Sequence, residues 1–372
     1  MNTETQLLDP LSRIRQDVQG MHAYAVQDSA GMLKLDAMEN SHRLPSVLRA
    51  ELGRRLGEVA INRYPGARVE DLKLALAKYA ELPSDWSLML GNGSDELISL
   101  LAMAFVRPGS AQEPEVILAP LPGFVMYGMS AQFQGLAFRG VPLTEQFELD
   151  EAAMLEAIAM HRPAVLYLAY PNNPTGTLWN QGVIDRLIDA QGAQGGLVVM
   201  DEAYQPFAAR SWMESVQAEP DRHRHVLVMR TLSKFGLAGV RLGYLMGPAA
   251  IVHQLDKLRP PYNVSVLNAE CALFALEHQD VFAQQAVDIR TEREKLVAAL
   301  NALPGVHAYP SEANMLLVRL PDAAKTFNGM RARKVLVKNV STMHVLLANC
   351  LRLTVGTQSE NEQMLAALQA SL

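Results

Sequence analysis

A lysine that follows a buried strand can act as a nucleophile, and the stretch HVLVMRTLSKFGLAGVRLGYLMG (225–247) holds one at Lys234. Burial strips water from the amine and lowers its pKa, so that it can attack a carbonyl near neutral pH. Thr231, Ser233 and Arg241 lie within a few residues of it. Two hydroxyls and a guanidinium suit a phosphate neighbour. Asp201 and Tyr204 close another apolar run, Leu197 to Met200, in DEAY. Asn172 and Asn173 stand between Pro171 and Pro174, in a loop stiff enough to aim amide side chains at a ligand. Gly91-Asn92-Gly93-Ser94-Asp95-Glu96-Leu97 runs from glycines into an apolar segment. Such a helix start either binds an anion on its free N–H groups or is a plain cap formed by Ser94 or Asp95. Phe124, after Pro122-Gly123, is placed either to stack on a flat ligand or to pack, and Tyr64, displayed before the Pro65-Gly66 turn, either serves a site or packs.

These groups need elements to hold them. Short apolar runs at 116–118, 164–168, 197–200, 226–229 and 242–246 read as buried strands. Helical spacing is expected over 46–60, 69–80, 97–106, the segment leading to Met160, and 180–190. Strands alternating with helices predict an open, mostly parallel sheet sandwiched by helices. In such a sheet Asn173, Asp201, Tyr204 and Lys234, all at strand ends, converge on one edge. His223 and His225 read as a solvated loop edge. Pro260-Pro261 marks a boundary. Beyond it come a helical stretch over 263–302, strands at 313–318, 334–338 and 351–355, and a closing helix at 359–370, which together form a smaller α+β domain. Arg352 lies on the last strand, opposite in face to Leu351 and Leu353. The predicted division is an N-terminal arm (1–44) that joins the small domain, a large domain (45–262) and a small domain (263–372).

Composition excludes several functions. The 372 residues are 49% hydrophobic and 19% charged, which describes a folded globular chain. A net charge of −6 gives no general affinity for nucleic acid. The two cysteines, Cys271 and Cys350, form no disulfide framework, lack neighbours at metal-ligand spacing and point to a reducing compartment. No metal site is expected. The N-terminus has no apolar signal core and the apolar run at 97–106 is too short to span a bilayer, so a cytoplasmic protein without membrane partners is expected.

In order along the chain, LDAMEN, NRYPG, GNGSDEL, NNPTG, DEAY, RTLSKFGLAGVRLGY and NCLRLTVGT resemble the fold-type I, pyridoxal-phosphate-dependent aminotransferases. Within them, the pattern is most similar to the histidinol-phosphate aminotransferases. The segment KFGLAGVR is one residue shorter than the commoner family form, LDAMENSHRLP lacks the proline usual after Glu-Asn, and Lys338 stands where some relatives have arginine.

The resemblance implies roles. Lys234 holds pyridoxal 5′-phosphate as a Schiff base and shuttles the proton, and Asp201 pairs with the pyridine nitrogen. Asn173 and Tyr204 bond the ring's 3′ oxygen, and Phe124 stacks on the ring. The N–H groups of Ser94 and Asp95, the hydroxyls of Thr231 and Ser233, and Arg241 hold the cofactor phosphate. Tyr64 reaches that phosphate from the partner subunit of a homodimer. Arg352, Lys338 and Tyr24 serve the substrate phosphate. The implied reaction converts L-histidinol phosphate and 2-oxoglutarate into imidazole-acetol phosphate and L-glutamate. The alternatives on the same scaffold are an aromatic amino acid transaminase and a phosphothreonine decarboxylase.

Overall fold

The computed structural model describes residues 9–21, 27–107, 109 and 113–372. The described residues fall into two compact units that divide between Gly31 and Met32. The first contains a short 3-10 turn (Pro10–Arg13) and helix α1 (Gln16–Gln19).

The second unit opens with strand β1 (Leu33–Lys34) and helices α2 (Ser46–Gly57) and α3 (Ala67–Tyr79). Then come β2 (Trp86–Gly91), α4 (Ser94–Ala104), β3 (Val116–Leu121), α5 (Met126–Gln134), β4 (Ala137–Pro142), α6 (Glu151–His161) and β5 (Val165–Ala169). The chain continues through α7 (Gln181–Ala193), β6 (Leu197–Asp201), α8 (Trp212–Ala218), β7 (Val226–Thr231), β8 (Gly243–Pro248) and α9 (Ala249–Leu255). These strands make a seven-stranded sheet in the order β2-β8-β7-β6-β5-β3-β4. All but β8 run parallel; β8 pairs antiparallel with both β2 and β7. The loop 232–242 is too short for the helical crossover that a parallel neighbour of β7 would require.

Both faces of this sheet are covered. Leu166, Leu168, Val198, Met200, Val226 and Val228 belong to the core on one face. Their chain neighbours Val165, Tyr167, Val199, Leu227 and Met229 belong to the core on the other. Alternation into two apolar layers is why the strands read as unbroken hydrophobic runs. A fully buried Val or Leu is worth about 1.5–3 kcal/mol relative to exposure, so this centre is the rigid part from which the strand ends project. Strand β4, AFRGVP, has no apolar run and escapes sequence reading; it is an edge strand, where Pro, Gly and Arg are tolerated.

The rest of the chain comprises α10 (Val266–Glu277), α11 (Gln279–Asn301), β9 (His307–Ala308), β10 (Met315–Arg319), α12 (Ala323–Ala332), β11 (Val335–Leu336), β12 (Lys338–Asn339), β13 (Cys350–Thr354) and α13 (Gln358–Gln369). The helical stretch expected over 263–302 breaks at His278, whose backbone is non-helical (φ −116, ψ 33). The single strand expected at 334–338 is two. Β11 pairs with β1, and β12 joins a four-stranded sheet in the order β12-β13-β10-β9. Thr357 and Glu360 form a capping box that starts α13.

Two expectations about burial change. Helix α2 has no fully buried residue, and its Val47 is 75% exposed. His223 is buried rather than solvated: its ring packs beside Trp212 and its Nδ1 lies 2.7 Å from the Glu219 carbonyl. Arg224, between the two histidines, points to solvent and gave that segment its polar look.

Candidate active site

The C-terminal ends of β5, β6 and β7 open on a cavity of about 400 Å³. Asn173, Asp201, Tyr204 and Lys234 all line it, as do Ser94, Asp95, Phe124, Thr231, Ser233 and Arg241. Parallel strands carry their following residues to the same sheet edge, and this is how residues far apart in the chain meet.

Lys234 sits in a one-turn π-helix, Ser233–Leu237, immediately after β7. Gly236 in that turn has φ 140, and a Cβ there would lie 2.9 Å from the Phe282 ring, so only glycine fits. The Lys234 Nζ donates to the Ala37 carbonyl at 2.8 Å and lies 5.9 Å from the Tyr204 ring centre. Burial, seconded by the positive charge of Arg352, pushes its pKa down to about 8. The amine is therefore far closer to its reactive neutral form at physiological pH than a surface lysine.

Asp201 ends β6 and is 4% exposed. Its Oδ1 accepts from the Ala203 N–H at 3.0 Å and its Oδ2 from the Tyr127 hydroxyl at 2.6 Å. Burial raises its pKa to about 6, while the Tyr127 and Ala203 donors act against that rise. Burial also raises the Tyr204 phenol above its usual value, which keeps it a neutral donor.

Of the two loop asparagines only Asn173 faces the cavity. Asn172 holds the loop itself, donating to the Pro122 carbonyl at 3.1 Å and to Thr175 Oγ1 at 2.9 Å. Asn173 Oδ1 accepts from Arg352 Nη1 at 2.7 Å, and Arg352 Nη2 donates to the Asp36 carbonyl at 2.9 Å. Lys338 is directly opposite Arg352 on the antiparallel neighbour strand. Such partners project from the same sheet face, which places the two cations side by side.

The other end of the cavity is built for an anion. Gly93, not Ser94 or Asp95, occupies the N-cap of α4, with φ 84 and no capping side chain. The first N–H groups of the helix, from Ser94 and Asp95, are left for another acceptor. A Cβ on Gly93 would sit 2.7 Å from Arg241 Nη2, and one on Gly243 would sit 2.7 Å from the Ser94 nitrogen. Glycine at both positions lets the helix start, β8 and Arg241 close together. Arg241 adopts a left-handed conformation (φ 53) and faces the Asp95 carboxylate at 3.4 Å, so the shorter Lys234–Arg241 segment still delivers it to the cavity. Thr231 Oγ1 donates to Ser233 Oγ at 2.9 Å at the same end.

Tyr64 lies elsewhere: it is 79% exposed and stacks on Tyr262 with ring centres 4.5 Å apart. Tyr24 lies outside the described residues. Sequence reading missed Tyr127, Glu39 and the backbone of Ala37, which also line the cavity. Tyr127 stands in the first turn of α5, three residues after Phe124, and nothing in that placement sets it apart in the chain from a core tyrosine.

An amine, a buried carboxylate across the cavity and an anion cradle fit pyridoxal phosphate, which carries an aldehyde, a basic ring nitrogen and a phosphate. The family model for aminotransferase class I and II matches residues 30–368. A histidinol-phosphate aminotransferase of Paracidovorax citrulli is 67% identical over 97% of this chain and 98% of its own. Another, from Acidovorax ebreus, is 65% identical over the full length of both. The crystal structure of histidinol-phosphate aminotransferase from Sinorhizobium meliloti, in complex with pyridoxal-5′-phosphate, superposes with a TM-score of 0.81 at 22% identity over 96% of each chain. Motifs, cavity and near-full-length identity agree, and the chain belongs to the class I and II aminotransferases, among the histidinol-phosphate aminotransferases.

Proposed function

We propose that the protein transfers the amino group of L-histidinol phosphate to 2-oxoglutarate, giving imidazole-acetol phosphate and L-glutamate, as a pyridoxal-phosphate-dependent step of histidine biosynthesis. The observation that carries this reading is the set Lys234, Asp201 and Asn173 in one cavity with Arg352 bonded to Asn173, in a chain 67% identical to a relative named for this activity. When bound, the cofactor supplies a carbonyl carbon for the amine and a ring that withdraws electrons from the substrate Cα.

The residues divide the work. Lys234 would hold the cofactor through its Nζ, the atom that would also move the proton at the substrate Cα. Asp201 would keep the ring nitrogen protonated, Asn173 and Tyr204 would orient the ring, and Phe124 would pack against it. Ser94, Asp95, Thr231, Ser233 and Arg241 would hold the phosphate. Arg352 and Lys338 receive the substrate phosphate, a group of nearly two charges that one cation matches poorly; Tyr24 is assigned to the same task.

We further infer a cytoplasmic homodimer with shared sites. Val47, Ile61, Tyr64 and Leu74, all within residues 47–74, and Tyr262, which stacks on Tyr64, are between 56% and 79% exposed; large apolar side chains left exposed in this way suit a subunit interface. Tyr64 lies among them, as a residue offered to a partner's cofactor phosphate would. We also infer lobes at 45–262 and 263–372, a reading supported for the arm by the pairing of residues 33–34 with β11. No helix among the described residues is long and apolar enough to cross a membrane.

The test is a donor panel. Specificity constants for histidinol phosphate, phenylalanine, tyrosine and phosphothreonine, measured with 2-oxoglutarate, should rank histidinol phosphate first. A preference for the aromatic donors, or carbon dioxide released from phosphothreonine, rejects the assignment in favour of one of the alternatives.

A further inference from the structure

We infer that Tyr127 is a positioning residue: its hydroxyl is a stationary donor that fixes the orientation and the charge of Asp201, and so governs how the enzyme holds its cofactor as pH falls. This deepens the proposed function and rests on the role given there to Asp201.

The geometry is specific. Tyr127 is 2% exposed, and its hydroxyl donates to Asp201 Oδ2 at 2.6 Å. Its ring lies flat on Tyr167, with centres 4.2 Å apart and planes 10° from parallel. Phe124 meets it edge-on at 5.6 Å and 86°. A ring held on one face by a fully buried tyrosine and at its edge by a second aromatic cannot swing its hydroxyl away from the carboxylate. The other carboxylate oxygen is fixed by the Ala203 N–H, so Asp201 is clamped at both oxygens.

This clamp answers a need set by burial. A carboxylate taken out of water favours its neutral form, and a neutral Asp201 cannot pair with a protonated ring nitrogen. A donor to the charged form counteracts that drift. The Ala203 N–H also counteracts it, but the other side chains felt by Asp201 do not. Asp95, from the start of α4, and Glu202, the next residue, are both negative and oppose its ionisation. Tyr167 from β5 and Tyr204 from the following turn are buried phenols that remain neutral. Glu202 is itself turned to Arg230, 2.8 Å away. Tyr127 is thus the side-chain donor that holds the charge in place.

The experiment compares wild-type holoenzyme with Tyr127→Phe and with 3-fluorotyrosine placed at 127, from roughly pH 5 to 9. It follows kcat, KM and the visible absorption of the bound cofactor. Tyr127→Phe should move the acid-side midpoint of kcat upward by about one unit, the scale of one lost bond to a charged group. KM for donor and acceptor should change less than about threefold, because the substrate is not touched. The acid transition in the absorption spectrum should move the same way. Fluorine makes the phenol a stronger donor, so the fluorotyrosine enzyme should move both midpoints downward. Midpoints unmoved in both variants, whether or not kcat falls, would show that Tyr127 only packs. The midpoint can be read with any productive donor, so failure of the donor panel would leave this result standing, and the reverse.

Discussion

Removing Arg352 is the sharpest test of how the substrate is held. Its guanidinium spans two acceptors, Asn173 Oδ1 at 2.7 Å and the Asp36 carbonyl at 2.9 Å, and so has a fixed orientation before any substrate arrives. Fixed direction lowers the entropy lost on binding. A phosphate received by this fork gains two charge-assisted bonds, each worth about 1.5–3 kcal/mol net. Arg352→Ala should therefore cost about 3–4 kcal/mol in the transition state, since water and Lys338 replace part of the loss. That is roughly a 100- to 1000-fold fall in kcat/KM for histidinol phosphate. Part of it should appear in kcat, because Asn173, 8% exposed, also loses its donor. Arg352→Lys keeps a charge without the planar fork and should recover only part of the activity. The assay is steady-state kinetics with histidinol phosphate varied at saturating 2-oxoglutarate, on variants shown to fold by circular dichroism. A change of less than about threefold in Arg352→Ala would refute the reasoning.

Lys234→Ala should fold, since the amine gives up a single bond to Ala37, but lose transamination; turnover near wild type would reject the assignment. Arg230→Met should lower stability by about 3–5 kcal/mol by taking the paired cation from a buried carboxylate, Glu202, whose side chain is fully enclosed and keeps the Ser211 hydroxyl and Trp212 N–H as donors. Urea midpoints for the single variant and for Arg230→Met with Glu202→Gln should show the double variant recovering part of the loss. Capture of pyridoxal phosphate by the apoprotein should accelerate with pH, with its midpoint near 8, where half of the Lys234 amine is neutral, and level off above that. A rate still climbing above pH 10 would mean that burial does not shift this amine.

What was legible in the chain was the sheet edge. Each strand of β5, β6 and β7 is an apolar run followed at once by a polar motif, and parallel strands deliver those motifs to one place. Asn173, Asp201, Tyr204 and Lys234 needed no more than that. Phe124 was readable as a residue at a strand's end and lines the cavity, and the helix start was readable as either a cap or an open anion site: with Gly93 at the cap, Ser94 and Asp95 offer N–H groups rather than side-chain caps. The residues that escaped are those whose role is made by contact between elements. Tyr127 looks like any core tyrosine until α5 is docked on the sheet beside Asp201. The split of 334–338 into β11 and β12 depends on two different partners, β1 and β13, that lie far away in sequence. The apolar spacing of α2 predicted a buried face, yet its leucines are only half-buried within one chain. Periodicity reports that a face wants cover and not which molecule supplies it.

One physical cause shifts both central groups of the site, and it helps one of them while hindering the other. Burial lowers Lys234 to about 8, toward the neutral form that attacks a carbonyl and accepts a proton. The same burial raises Asp201 to about 6, away from the charged form that the proposed pairing with a protonated ring requires. A cavity made drier to activate the lysine would disable the aspartate unless something acted on the aspartate alone. The bonds at the two groups differ in that sense. Lys234 Nζ is met by a neutral carbonyl, which orients the amine without the large stabilisation of its charge that a carboxylate would give. Asp201 is met by two donors, the Tyr127 hydroxyl and the Ala203 N–H, which favour its ionised state. The strands bring both groups into one dry place, and the flanking pieces, the turn at 203 and helix α5, undo the effect of dryness where it would harm. A variant that weakens the α5 contact should therefore act first on the acid side of the pH profile, while one that admits water beside Lys234 should act first on the alkaline side.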